Sequence, residues 1–198
     1  MISLKSTYVI LFTGVVIIAA AYRLPELSGR PMHGDEANQA VKAGILFDKG
    51  VYTYDPHEHH GPTLYYLTLP SLWLSGAKHF KDTTEWNYRI VPVVFGLGLL
   101  VLIGLLRGAV GNGAMLWAAL LYAVSHAMVY YSRYYVQEIL LVFFTALVFA
   151  AAWRYILTPK AVWAVLAGAG LGLMHATKET SLILFACMAM AFALTWSL

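Results

Sequence analysis

Long apolar runs broken by short polar punctuation dominate the chain. The runs cover residues 8–22, 90–106, 114–131, 139–157, 161–176 and 181–198. Each approaches the roughly 20 residues that an α-helix needs to cross a hydrocarbon core. The pattern therefore predicts six transmembrane helices, the last five joined by the polar stretches 107–113, 132–138, 158–160 and 177–180. The first run is short, although Ile2 and Leu4 extend it. Ala19, Ala20 and Ala21 supply the small residues of a signal-peptide cleavage site, which is the competing reading. Under both readings the next segment is delivered to the outer side.

Two further elements lie between the first and second runs. Residues 63–76, TLYYLTLPSLWLSG, would span about 21 Å as a helix, less than a core about 30 Å thick, and Pro70 interrupts them. An interfacial or re-entrant helix follows, with Pro62 in its first turn and Tyr65, Tyr66 and Trp73 at interface height. Upstream, Ala37, Ala40, Val41, Gly44 and Ile45 recur at helical spacing within residues 35–49. Acids at the start, Lys49 at the end and Gly50 beyond suit a helix dipole and a glycine C-terminus. This amphipathic helix is expected to lie flat on the bilayer, with Asp35 and Glu36 in its first turn.

Composition agrees with the periodicity: of 198 residues, 60% are hydrophobic and 12% charged, which points away from a soluble core and toward a multi-span membrane protein. The net charge of +3 includes no dense basic run, so nucleic acid is not an expected partner and membrane lipid is. The placement of charges then orients the chain. If residues 63–76 do not span, Lys5, Arg107, Arg154 and Lys160 fall inside, against Arg133 and Lys178 in the short outer loops. If they do span, six basic residues lie inside against seven outside. The positive-inside rule prefers the first arrangement, with residues 23–89 as one long outer loop. All ten acidic residues and most histidines then gather on the outer face. Cys187, in an apolar run, reads as a packing residue. Because the chain stops at Leu198 at the end of an apolar run, it reads as a piece of a longer protein.

The candidate chemistry sits on that face. Asp35 could act as a general base toward an acceptor hydroxyl, or it could simply cap its helix; Glu36 accompanies it. His57, Glu58, His59 and His60 follow Asp55 closely and could share a divalent metal, though no recognised ligand spacing is present. Solvated or substrate-contacting histidines are the plainer reading. Arg133 and Glu138, in SRYYVQE, stand at one span junction; Glu138 opens an apolar helix and is costly there unless paired. Lys178 and Glu179, in HATKETS, stand at the next, where Lys178 could hold a lipid phosphate as a point charge or merely snorkel. Gly168, Gly170 and Gly172 suit close packing of their helix on a neighbour.

Taken in order, GDEA after a first span, HGPTLYYL, NYRIVPVVFG, SRYYVQEILL and GAGLGLMHATKE resemble the GT-C glycosyltransferases. The nearest branch is that of protein O-mannosyltransferases and aminoarabinose transferases. RPMHGDEANQA with HEHHGP is closer still to prokaryotic flippase-associated proteins of archaeal-type glycosylation. The resemblance implies an all-α polytopic fold, one GT-C-like module over residues 1–198. It implies inverting transfer of a sugar from a polyprenyl-phosphate donor to an unspecified acceptor outside the cytoplasm, at a cell membrane. Carried over, Asp35 matches the catalytic acid and Glu36 its companion. His60, Gly61 and Pro62, with His59 beside them, match a loop near the donor. Arg133 and Glu138 match a second motif, and Lys178 the lysine near the donor phosphate. Such chemistry needs no metal, and the lipid-linked donor is the one small molecule implied. The branch carries two prolines where this chain has Gly61-Pro62. Two other functions remain open: a non-enzymatic binder of lipid-linked glycans associated with a flippase, and a metal-dependent membrane hydrolase using the histidines.

Overall fold

The computed structural model describes residues 4–55 and 60–197, and among them only helices occur as regular elements. The order is α1 (Leu4–Arg23), α2 (Gly34–Lys49), α3 (Thr63–Leu74), a 3-10 turn (Phe80–Asp82), α4 (Glu85–Leu105), α5 (Arg107–Val124), α6 (His126–Ser132), α7 (Glu138–Leu157), α8 (Ala161–Thr177) and α9 (Ser181–Ser197). Helices α4 and α7 are long and apolar enough to cross a membrane, α5 with α6 forms a third candidate span, and α8 and α9 are shorter apolar helices. The protein is an all-α polytopic membrane protein.

The third apolar run is not one straight helix. It is bent by 64° between α5 and α6, and α5 is itself broken at Gly111, whose φ of 83° is left-handed. A bend of that size strips carbonyl groups of their helical partners, and in lipid each must find another. Arg23, at the end of α1 and fully buried, supplies the donors. Its Nη1 donates to Ala123 O at 2.9 Å and its Nη2 to Tyr122 O at 3.2 Å, while Nε reaches Ser132 Oγ at 3.2 Å. The guanidinium also lies 4.9 Å from the centre of the Tyr122 ring. A cation at a helix C-terminus is favoured by the dipole as well.

Helices α7 and α8 form the most extensive pair. Of the three glycines expected to bring α8 close to a neighbour, Gly170 does so: a Cβ there would lie 2.8 Å from Val148 Cγ2, whereas Gly168 and Gly172 face open space.

The α2 helix corrects the periodicity reading. Its buried face comprises Glu36, Gln39, Ala40, Ala43, Gly44 and Leu46, while Val41 and Ile45 are exposed. The stripe is rotated because two polar residues have buried partners, which no hydrophobic pattern registers. Gly44 packs under the Phe80 ring, where a side chain would collide with it.

Glu36 is the larger anchor. It is 0% exposed, and its carboxylate accepts from Arg89 Nε and Nη2, each at 2.8 Å, and from the Tyr135 N–H at 3.1 Å. Arg30 Nη1 lies 3.1 Å from it, and the His33 N–H donates at 3.2 Å. Arg89, buried in the first turns of α4, in turn donates to the carbonyls of Leu27, Arg30 and Pro31. These bonds bring the chain after α1 and the start of α4 to the same end of the bundle. Residues 23–89 thus leave and re-enter at that end, and α3 does not carry the chain across.

Burial alone would push the Glu36 carboxyl up; the Arg89 hydrogen bonds and charge and the Tyr135 and His33 N–H groups outweigh it and hold it below its ordinary value. The folded state therefore binds this proton less readily than the unfolded chain. The resulting stabilisation is present above pH 4.5 or so, the ordinary carboxyl value, and fades as the pH falls through the lowered one. Removing one partner should cost more than removing both. Arg89→Met strands a buried charge and should lose about 3–5 kcal/mol, and Glu36→Gln with Arg89→Met should recover part of it, read by thermal unfolding in detergent.

Candidate functional site

Four elements meet at the anchored end: the first turn of α2, the 132–138 turn, the loop before α3, and the junction of α8 and α9. The 132–138 turn organises them. Its Tyr135 N–H grips Glu36, its Tyr134 hydroxyl donates to Asp35 Oδ2 at 3.2 Å, and its Gln137 amide donates to Gln39 Oε1 at 3.0 Å. Its last residue, Glu138, receives Lys178 Nζ at 2.7 Å.

Asp35 is not the cap of α2. The cap is His33, whose Nδ1 accepts the Asp35 N–H at 3.4 Å, while Glu36 closes the capping box. The Asp35 carboxylate is thereby released from capping and stands 70% exposed. Besides Tyr134, it has His33 Nδ1 at 3.6 Å, and the Tyr134 hydroxyl itself lies 2.7 Å from that nitrogen. Desolvation, followed by the bond to Asp35, pushes the Tyr134 phenol well above its ordinary value, so it remains a donor. Arg30 lies over the Tyr134 ring at 5.7 Å.

Lys178 is 17% exposed and Glu138 38%. Glu138 opens α7, where the helix dipole favours its charge, and the ion pair supplies the partner that its apolar setting demands. Only Oε1 is engaged; Oε2 is buried with no hydrogen-bond partner among the described residues. Fully buried Ser181, in the first turn of α9, has an unpartnered hydroxyl as well.

Glu179 holds the neighbouring loop. His60 Nδ1 lies 2.8 Å from its Oε2, and the Tyr54 hydroxyl donates to Oε1 at 3.1 Å. Burial would raise this carboxyl, but its own backbone N–H, His60 and Tyr54 keep it below its ordinary value. Thr63 Oγ1 donates to Ala176 O at 2.7 Å, and any Cβ on Gly61 would strike that same carbonyl. That contact gives a physical reason for glycine where the resembling branch carries proline.

The expected site residues are thus distributed unequally. Asp35 stands at the α2 end of the 132–138 turn, and Glu138 with Lys178 at its other end. Glu36 lies behind the face, saturated with donors. Arg133 is turned aside, donating to Tyr22 O at 3.1 Å and Pro25 O at 2.7 Å. His60 meets Glu179, and His57 and His59 lie outside the described residues. Among the described residues no group of three side chains is placed to hold a metal ion.

Arg89, Tyr134, Gln39 and Gln137 were not singled out from the sequence. Arg89 could have been: it is a charge at the head of an apolar helix, which calls for a buried partner as Glu138 does. Tyr134 carried no signal beyond membership of a tyrosine-rich stretch suited to an interface.

A comparison with protein families extends the picture. The model for dolichyl-phosphate-mannose-protein mannosyltransferases matches residues 64–198. The match takes in Arg133, Glu138 and Lys178 and begins after Asp35 and Glu36. No curated protein and no solved structure matches the chain. With more than half of its residues under one family model, this chain belongs to the dolichyl-phosphate-mannose-protein mannosyltransferases, a family of GT-C membrane glycosyltransferases.

Proposed function

We propose that the protein transfers a sugar from a polyprenyl-phosphate donor to an acceptor hydroxyl on the extracytoplasmic side of the membrane, with Asp35 as general base. One observation carries this reading: the 132–138 turn holds an exposed carboxylate at one end, through Tyr134, and a lysine at the other, through Glu138. A base for the acceptor and a cation for the leaving phosphate are the two groups the reaction requires.

In the proposed step the acceptor oxygen attacks the anomeric carbon as its proton passes to an Asp35 oxygen. The bond from the anomeric carbon to the phosphate oxygen breaks, and attack opposite the leaving group inverts the sugar. The lipid phosphate departs with the negative charge, and Lys178 stabilises it. Because Glu138 already occupies Lys178, the phosphate takes over part of that ion pair. Glu36 and Arg133 act by holding: the first fixes α2 to the 132–138 turn, the second fixes that turn to the end of α1. His60 and Glu179 hold the loop before α3 at the donor side.

The exposed Asp35 carboxylate serves no structural bond that asparagine could not accept, so Asp35→Asn should leave the melting temperature within a degree or two and abolish transfer. A loss of about 10²–10⁴-fold is the range for removing a general base. The assay follows released lipid phosphate from a synthetic polyprenyl-phosphate sugar incubated with membranes containing the full protein. Wild-type release by that variant would remove Asp35 from the role, and absence of release by the wild-type protein despite retained donor binding would favour a non-enzymatic glycan binder.

Lys178 and Glu138 should separate. Lys178→Gln should lower both donor affinity and turnover, whereas Glu138→Gln should leave the lysine free for phosphate and preserve or tighten donor binding. Titration with the polyprenyl-phosphate sugar reads both.

A further inference from the structure

The end of the bundle opposite Asp35 contains a second feature that the proposed reaction does not use. A cavity of about 550 Å³ opens there between the first turns of α1, the end of α4 and the start of α5. That is within the roughly 300–1,000 Å³ typical of small-molecule sites. Its wall is divided by chemistry. Arg107, Asn112, Tyr8 and Thr13 provide polar groups, and Phe12 and Met115 provide an apolar side. The left-handed turn at Gly111 separates residues 107–110 from the rest of α5, and Arg107 and Asn112, on either side of that break, line one cavity.

The Arg107 side chain is exposed and makes no hydrogen bond or ion pair with any other described residue. That sets it apart from Arg23, Arg89 and Arg133, each of which is committed to carbonyls or a carboxylate. No acid is near to complement it. The described carboxylates lie in the loops, the helix starts and the last turn of α2 at the Asp35 end, whereas Arg107, Arg154 and Lys160 lie at this one. A guanidinium in a concave, acid-free site with amide and hydroxyl donors is suited to a phosphate oxygen, and the apolar wall suits the hydrocarbon attached to it.

We propose that this cavity binds the phosphate headgroup of an anionic phospholipid from the leaflet at that end of the bundle. Arg107 and Asn112 contact the phosphate, and the Phe12–Met115 wall takes the first part of an acyl chain. The site would tie the break in α5 to the charge of its membrane. It is independent of the Asp35 reaction, so each can fail without the other.

The test uses the full chain in nanodiscs of an equal mixture of phosphatidylcholine and phosphatidylglycerol, with retained lipid counted by native mass spectrometry. The wild-type protein should retain phosphatidylglycerol in preference. Arg107→Gln should reduce that retention by roughly fivefold or more, the value of one arginine at an anionic surface, and Arg107→Lys should keep part of it. Asn112→Leu, which leaves the charge and removes the amide, should also reduce it. Lys160→Gln removes an equal charge at the same end outside the cavity and should leave it unchanged. Equal losses for Arg107→Gln and Lys160→Gln would show general surface attraction and overturn the site. Displacement of the lipid by soluble glycerol phosphate at matched concentration would overturn the lipid assignment in favour of a soluble phosphate ester.

Discussion

The buried contact of Glu36 with Arg89 and the Tyr135 N–H sets the geometry of the site. An ion pair taken out of water stabilises little by itself, because desolvation consumes most of the attraction. Its influence is on specificity of arrangement: each remaining lone pair and proton must find a partner, and here the partners come from the loop after α1, the start of α4 and the 132–138 turn. Misplacing any of the three would strand a charge. That requirement locates the first turn of α2, and with it Asp35, relative to helices far along the chain.

The same economy appears at Arg23, which completes the carbonyls freed by the bend between α5 and α6. The bend positions α6 so that the turn after it reaches α2 and α8 together. A straight span would have no need of a buried arginine, and it would not present Tyr134 and Glu138 in the same way. The fully buried charges Arg23, Glu36 and Arg89 thus stand behind the face, and the charges accessible on it among the described residues include Asp35, Arg30, the partly open Glu138–Lys178 pair, and the His60–Glu179 contact.

Much of the helix layout was legible from hydrophobic runs, since period and length are local properties. The run at 139–157 differs from α7 by one residue, and the short, proline-interrupted segment 63–76 is indeed a helix that stays at one end. What could not be read were features fixed by distant partners. The buried face of α2 was misassigned because Glu36 and Gln39 are inside only by virtue of Arg89, Tyr65 and Gln137. The break in the third run was hidden because the side chain that satisfies its freed carbonyls, Arg23, lies a hundred residues upstream. Asp35 could be read as a cap or as a base; the structure assigns the cap to His33 and leaves the carboxylate exposed.

The central claim is that Asp35 and Lys178 serve one substrate from the two ends of the 132–138 turn. A cryo-electron microscopy structure of the protein with a bound polyprenyl-phosphate sugar tests it most directly. The account predicts the phosphate against Lys178, with the Glu138 carboxylate displaced from Nζ, and the sugar extending toward Asp35. A phosphate lodged elsewhere, with the Glu138–Lys178 pair intact and Asp35 remote from the sugar, would contradict it.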